Sequence, residues 1–204
     1  MGKYNSPSPL SGVTFEEIMS EAEVSSDKAN QSISTSGKRS VSRRSERSNS
    51  SLQFSIIKNY GKLSKKKSAA TFALVDWNGY KRYDLRSWSE DYSTPYKGIS
   101  FTEEEISVLR DMLSCYTYRS YAKPQYVCDM GKTKAKVFCN VCKLSSSTVR
   151  GVTWNKQVSI VDWGYGQKYD FRKWTESYDR CGKGICLSKD EVDELLGILE
   201  SLQL

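Results

Sequence analysis

The sequence predicts an α+β protein built from two tandem ββββα units. Each unit is a curved antiparallel sheet followed by a helix, and the two pair as a pseudo-dimer behind a disordered N-terminal tail. Three observations carry this prediction. A block of 26 residues recurs at a fixed offset, each copy is a series of β-branched and aromatic runs punctuated by turn residues, and each copy ends in a capping box that opens an amphipathic helix.

The repeat comes first because it sets the domain count. VDWNGYKRYDLRSWSEDYSTPYKGIS (75–100) aligns without gaps with VDWGYGQKYDFRKWTESYDRCGKGIC (161–186), an offset of 86, and twelve positions are identical. Upstream, Lys62-Leu63-Ser64 matches Lys143-Leu144-Ser145 at an offset of 81, so the second copy holds five extra residues before its next strand. The resulting division is a tail (1–51), a first unit (52–114), a linker (115–136) and a second unit (137–204).

In the first unit the strands read as Phe54 to Tyr60, Thr71 to Trp77, Tyr80 to Trp88 and Lys97 to Phe101, with Asn78-Gly79 as a hairpin turn. In the second they read as Val137 to Leu144, Gln157 to Trp163, Gln167 to Trp174 and Lys183 to Leu187, with Gly164 and Gly166 serving the turn. Thr102 with Glu105, and Ser188 with Glu191, are the two capping boxes. Ile106, Leu109, Met112 and Leu113 form one helical stripe, and Val192, Leu195, Leu196, Leu199 and Leu202 the other. One sheet leaves such helices with apolar surface to spare, so the two copies are expected to cover each other, with larger homo-oligomers as the alternative.

Composition narrows the chemistry. The 204 residues include no histidine, which excludes Ser-His-Asp and Cys-His nucleophile pairs and HExxH metal sites, so the chain reads as a binding protein and not an enzyme. No apolar run of membrane-spanning length occurs, and MGKYNSPSPLSG lacks a secretory h-region. An intracellular location is expected, nuclear in a eukaryote and cytoplasmic or nucleoid-associated in a bacterium. Six cysteines then read as reduced thiols. Gly2 and Ser6 fit the loose myristoylation pattern, which occurs often by chance.

The tail is rich in serine and poor in aromatics, a composition that cannot offset its own ordering entropy. Thr14 to Ala22 is its one helix candidate. Lys38, Arg39, Arg43, Arg44 and Arg47 face a single acid, Glu46, which suits phosphates or an import receptor as well as plain solvation. Phosphorylation of the intervening serines would weaken any attraction to nucleic acid.

The net charge is +7, with ten Lys+Arg against eight Asp+Glu in 52–114, five against one in 115–136, and nine against nine in 137–204. Many acids lie on the helices, leaving the sheet side more basic. Strand alternation puts Arg86 with Trp88, and Arg172 with Trp174, on one face. Trp77 and Trp163 end the preceding strands, while Lys81, Arg82, Lys168 and Lys173 surround the turns. Lys65, Lys66 and Lys67 add a cationic loop to the first unit only. Rings beside cations suit unpaired bases and their phosphates, a combination that duplex DNA would not use. The competing reading buries the tryptophans and pairs the arginines with Asp84 or Asp76 and with Asp170 or Asp162. Tyr116, Tyr118, Arg119, Tyr121, Lys123 and Tyr126 in the linker allow the same two readings.

Tyr83-Asp84-Leu85-Arg86-x-Trp88, followed by Lys97-Gly98-Ile99-Ser100-Phe101-Thr102 and a leucine-containing helix, resembles the positive cofactor 4 family of single-stranded-DNA-binding transcriptional coactivators. Tyr169 to Trp174 and Lys183 to Ser188 resemble it more closely, particularly its bacterial branch. The resemblance implies a ββββα fold that dimerises through its helices, binds single strands on curved sheets, acts in transcription, replication or repair, and performs no catalysis; no cofactor is expected. Carried over by motif, Trp77, Lys81, Arg86, Trp88 and Lys97 would touch DNA in the first copy, and Trp163, Lys168, Arg172, Trp174 and Lys183 in the second. The tandem arrangement and Gln167 in place of Lys81 depart from the family pattern.

Single-stranded DNA is thus the expected partner, with RNA as the neighbouring reading and a scaffold for transcription or replication machinery as the rival. Cys139 and Cys142 have the spacing of half a zinc or redox site, with Cys128, Cys181 and Cys186 as the available completions. Residues three apart on a strand face opposite ways, so no metal is expected there.

Overall fold

The structure is a computed structural model that describes residues 53–66, 69–131 and 133–203. The tail with its candidate helix and Arg/Ser tract, and Lys67, lie outside the described residues.

The first repeat holds β1 (Phe54–Lys62), β2 (Thr71–Trp77), β3 (Tyr80–Trp88), β4 (Pro95–Phe101) and helix α1 (Glu103–Cys115). The second holds β5 (Tyr126–Asp129), β6 (Lys134–Val149), β7 (Val152–Asp162), β8 (Gln167–Thr175), β9 (Cys181–Leu187) and helix α2 (Lys189–Glu200). Each sheet is an antiparallel meander, β1-β2-β3-β4 in one and β5-β6-β7-β8-β9 in the other.

Strand register shows how closely the copies match. Lys62 lies opposite Thr71 and Lys143 opposite Gln157, so the upstream offset of 81 and the downstream offset of 86 meet in equivalent pairs. Bulges fall between Ile56 and Lys58 and between Asn59 and Gly61 in β1, and at the equivalent Val137/Cys139 and Asn140/Cys142 in β6. A further irregularity recurs between Arg86 and Trp88 and between Arg172 and Trp174. Such bulges bend a strand and increase its twist, which curves both sheets at the same points. Close approach is built in as well. A Cβ on Gly98 would lie 2.0 Å from Arg86 Cβ, and one on Gly184 would lie 2.4 Å from Arg172 Cβ, so both neighbouring strands require glycine there.

Two features of the second copy differ from the sequence expectation. The linker is not a plain connector: Tyr126–Asp129 pairs with Lys134 to Val137 and makes a fifth strand. The five extra residues do not make a loop either. Ser145 to Val149 continue β6, Val152 to Lys156 begin β7 early, and the turn is at Arg150-Gly151, with φ of 50° and 78°. Serine and threonine on the arm pair across it, Ser146 Oγ donating to Asn155 Oδ1 at 2.8 Å. Cross-strand pairs of this kind hold the extension straight.

Both capping boxes form as expected, on Thr102 with Glu105 and on Ser188 with Glu191. Helix α1 buries Ile106, Leu109 and Leu113, and α2 buries Val192, Leu195 and Leu199, while Met112 on the flank of the stripe is 38% exposed. These residues join Phe72, Leu85, Phe101, Val158, Ile160, Phe171 and Leu187 in one core shared by both repeats. Helix α1 packs on α2 and on β6, and β4 packs on β9. Each fully buried Leu or Ile contributes roughly 1.5–3 kcal/mol, so a core shared across the junction is what pairs the copies.

Candidate nucleic-acid interface

The Asp, Arg and Trp of the Tyr-Asp-x-Arg-x-Trp motif lie on the face of each sheet away from its helix, while Tyr83 and Tyr169 turn into the shared core, and the structure shows what the motif does. Asp84 is fully buried and accepts from Arg86 Nε and from Arg86 Nη2 at 2.8 Å, while Ser100 Oγ donates to it at 2.7 Å. The Arg86 guanidinium lies 4.5 Å from the Trp77 ring centroid and 5.8 Å from that of Trp88. The second copy repeats this. Arg172 Nε donates to Asp170 at 2.6 Å and lies over Trp163 at 4.3 Å and Trp174 at 5.8 Å. Burial alone would lower the Arg172 pKa, but the Asp170 carboxylate outweighs it and holds the guanidinium charged.

Alternation therefore places arginine and tryptophan together as expected, but most of these rings are closed to a ligand. Trp77 and Trp174 are 0% exposed and Trp88 is 6% exposed. Phe54 covers Trp77 and Trp88 with centroid separations of 5.3 and 5.2 Å, and Tyr178 covers Trp174 at 5.5 Å. Arg86 is 6% exposed and its charge is neutralised by Asp84. The reading in which the tryptophans are core and the arginines pair with Asp84 and Asp170 describes this arrangement. The physical reason is local cover: Phe54 on one repeat, Tyr178 on the other and the carboxylate-paired arginines occupy the ring faces that a base would need.

Trp163 is the exception, being half-buried. It lines an open groove of about 610 Å³ with Lys168, Arg172 and Lys183 of the second repeat and Ser87 and Lys97 of the first. The groove runs where β4 and β9 meet, so pairing of the repeats brings Lys97 and Lys183, equivalent residues in the alignment, to one site. Among the described residues no carboxylate lines it; Asp170 is fully buried in its pair with Arg172. Lys65, Lys66, Lys81 and Arg82 lie outside the lining, the first three exposed and Arg82 half-exposed.

Sequence reasoning missed Tyr165, which also lines the groove and is 86% exposed. The available signal was an aromatic residue between two turn glycines, Gly164 and Gly166. It also missed the reason for Gln167. Gln167 Oε1 accepts from Tyr121 N at 2.9 Å, Gln167 Nε2 donates to Tyr121 O at 2.7 Å, and Tyr118 Oη donates to Gln167 O at 3.1 Å. An amide can make this two-way bond with a backbone and an ammonium cannot, so Gln167 straps the linker down where Lys81 stands in the first copy.

Among the described residues no group of three or more Cys, Asp or Glu side chains is placed to hold a metal ion. Cys139 and Cys142 do not face opposite ways: both pack in the shared core, because the bulge between Asn140 and Cys142 breaks the two-residue alternation. Burial pushes the Cys142 thiol up to about 11. Burial and then the Asp170 carboxylate push Cys186 up to about 12. No helix is long and apolar enough to cross a membrane among the described residues.

No family model matches the chain, and no solved structure does. An uncharacterised protein of Treponema pallidum (strain Nichols) is 34% identical over 76 residues, which are 36% of this chain and 89% of that protein. The matched length fits one repeat.

Proposed function

Because the chain belongs to the same family as that Treponema pallidum protein, whose size matches one repeat, and because both repeats contribute a lysine to its basic groove, we propose that the paired repeats bind single-stranded DNA in this groove. The observation that carries the reading is the lining itself: Lys97, Lys168 and Lys183 beside Trp163, with Arg172 held by Asp170 over the indole and no carboxylate lining the groove among the described residues. Lysines neutralise backbone phosphates as point charges, and a partly open indole offers a base one edge of a π-surface, worth about 1–3 kcal/mol per stacked base. The groove is open to solvent and does not enclose its contents on all sides, which suits a strand better than a small molecule. This agrees with what the resemblance to the positive cofactor 4 family implies, namely an intracellular accessory to transcription, replication or repair.

The test is a titration of fluorescent oligo-dT at low and moderate salt, beside matched duplex and oligo-U. Salt-sensitive binding that prefers the DNA single strand, weakened in Lys97→Ala, Lys168→Ala and Lys183→Ala, is expected. Each lysine that meets a phosphate contributes about 0.7 to the slope of log affinity against log salt. Preference for oligo-U would assign the groove to RNA, and absence of binding by folded protein would remove the reading.

A further inference from the structure

The two copies share their buried motif but not their surface above it, and two of the differences bear on the groove. In the second copy the β7–β8 turn carries Tyr165 at its tip, 86% exposed, and Gly182 on β9 faces the groove. At the aligned positions the first copy has Gly79 and Tyr96. Trp163 is half-buried, whereas its counterpart Trp77 is sealed under Phe54.

The Tyr165 turn is rigid. Asp162 Oδ1 accepts from Gly164 N at 2.7 Å and from Gly166 N at 3.0 Å, so one carboxylate ties both sides of the tip. Gly164 and Gly166 take φ of 98° and 84°, a conformation open to glycine at little cost. A Cβ added at either glycine would meet nothing within 4 Å, so the space around the tip is empty. A ring held out on a fixed turn beside Lys97, Lys168 and Lys183 loses little entropy on contact with a ligand.

We propose that Tyr165 is the base-stacking anchor of the groove, and that the chain holds a single strand at one place, on the second repeat's side, instead of one on each repeat. This rests on the reading of the groove as a single-strand site. The tryptophans shape the sheet, and the exposed tyrosine supplies the open ring that an unpaired base requires.

The experiment measures affinity and stoichiometry of the full chain for a short oligo-dT, in the wild type and in Tyr165→Ser, Tyr165→Phe and Tyr80→Ser. Tyr80, 48% exposed at the start of β3, controls for loss of a surface tyrosine beside the equivalent turn. Expected are one oligonucleotide per chain, about tenfold weaker binding in Tyr165→Ser, near wild-type binding in Tyr165→Phe, and no change in Tyr80→Ser. Two oligonucleotides per chain, or a Tyr165→Ser variant that binds like the wild type, would overturn the anchor while leaving the groove's function standing. A wild type that binds no oligonucleotide would overturn both.

Discussion

Lys156 of the second repeat donates from Nζ to Glu105 Oε2 of the first at 2.8 Å, with both side chains buried. The same ammonium donates to Ser100 O at 3.0 Å, and Ser145 Oγ donates to the other Glu105 oxygen. Glu105 also closes the capping box of α1, Thr102 N donating to Oε2 at 2.9 Å. One carboxylate therefore caps a helix and anchors the arm that the other repeat lays across it. Removing a single partner leaves a buried charge uncompensated, so Lys156→Ala is expected to destabilise the protein by about 3–5 kcal/mol in urea denaturation. Loss of less than 1 kcal/mol would show that the arm is not a structural clasp.

The buried pairs Asp84–Arg86 and Asp170–Arg172 are expected to act alike in the two repeats. Asp84→Asn and Asp170→Asn each strand an arginine between tryptophans and should each cost about 3–5 kcal/mol, with a shift in tryptophan emission. Because the repeats share one core, both variants should lower a single unfolding transition. Two separated transitions would show that the repeats fold independently.

Thiol labelling followed by mass spectrometry should order the cysteines by burial and by pKa. Cys115 is exposed and is expected to react first. Cys142 and Cys186, with thiols pushed up to about 11 and about 12, are neutral at pH 7. A raised pKa lowers the thiolate fraction tenfold per unit, so their labelling should stay slow at neutral pH and rise toward pH 11–12. Rapid labelling of Cys186 at pH 7 would contradict the Asp170 contact at 3.1 Å.

Gly182→Tyr rebuilds in the second copy the residue that the first copy carries as Tyr96. A Cβ at Gly182 would make ordinary contacts of 3.6 and 3.8 Å with Lys173, so the fold should tolerate it. Stability near wild type with weakened oligo-dT binding is the expected result. Unchanged binding would mean that Gly182 does not keep the groove open.

Much of this architecture was legible in the residues. The 86-residue offset, the Asn78-Gly79 turn and the Ser188/Glu191 box are local signals, and local physics decides them. Side-chain exposure was less legible. Alternation correctly groups Arg86 with Trp88, but whether that face is open depends on Phe54 crossing over from β1, which is a long-range fact. The β6–β7 arm was hidden for a related reason: Ser145 to Arg150 has the composition of a loop, and it becomes strand because Glu105 of the other repeat receives Ser145 and Lys156. The groove shares this origin, since Lys97 and Lys183 meet only after the repeats pair.

The strap made by the linker bears on how the protein stays out of aggregates. Tyr118 and Tyr121 hold the chain to Gln167, and the strand that follows, Tyr126–Asp129, covers the open side of β6 at Lys134 to Val137. A Gly/Ser spacer of equal length would span the same gap and leave that row of backbone donors and acceptors bare, a template on which a neighbouring chain pairs. The segment between the repeats is thus an edge guard as much as a tether: it sets a four-residue strand at the border of the sheet, and so short an edge offers a neighbouring chain little to pair with.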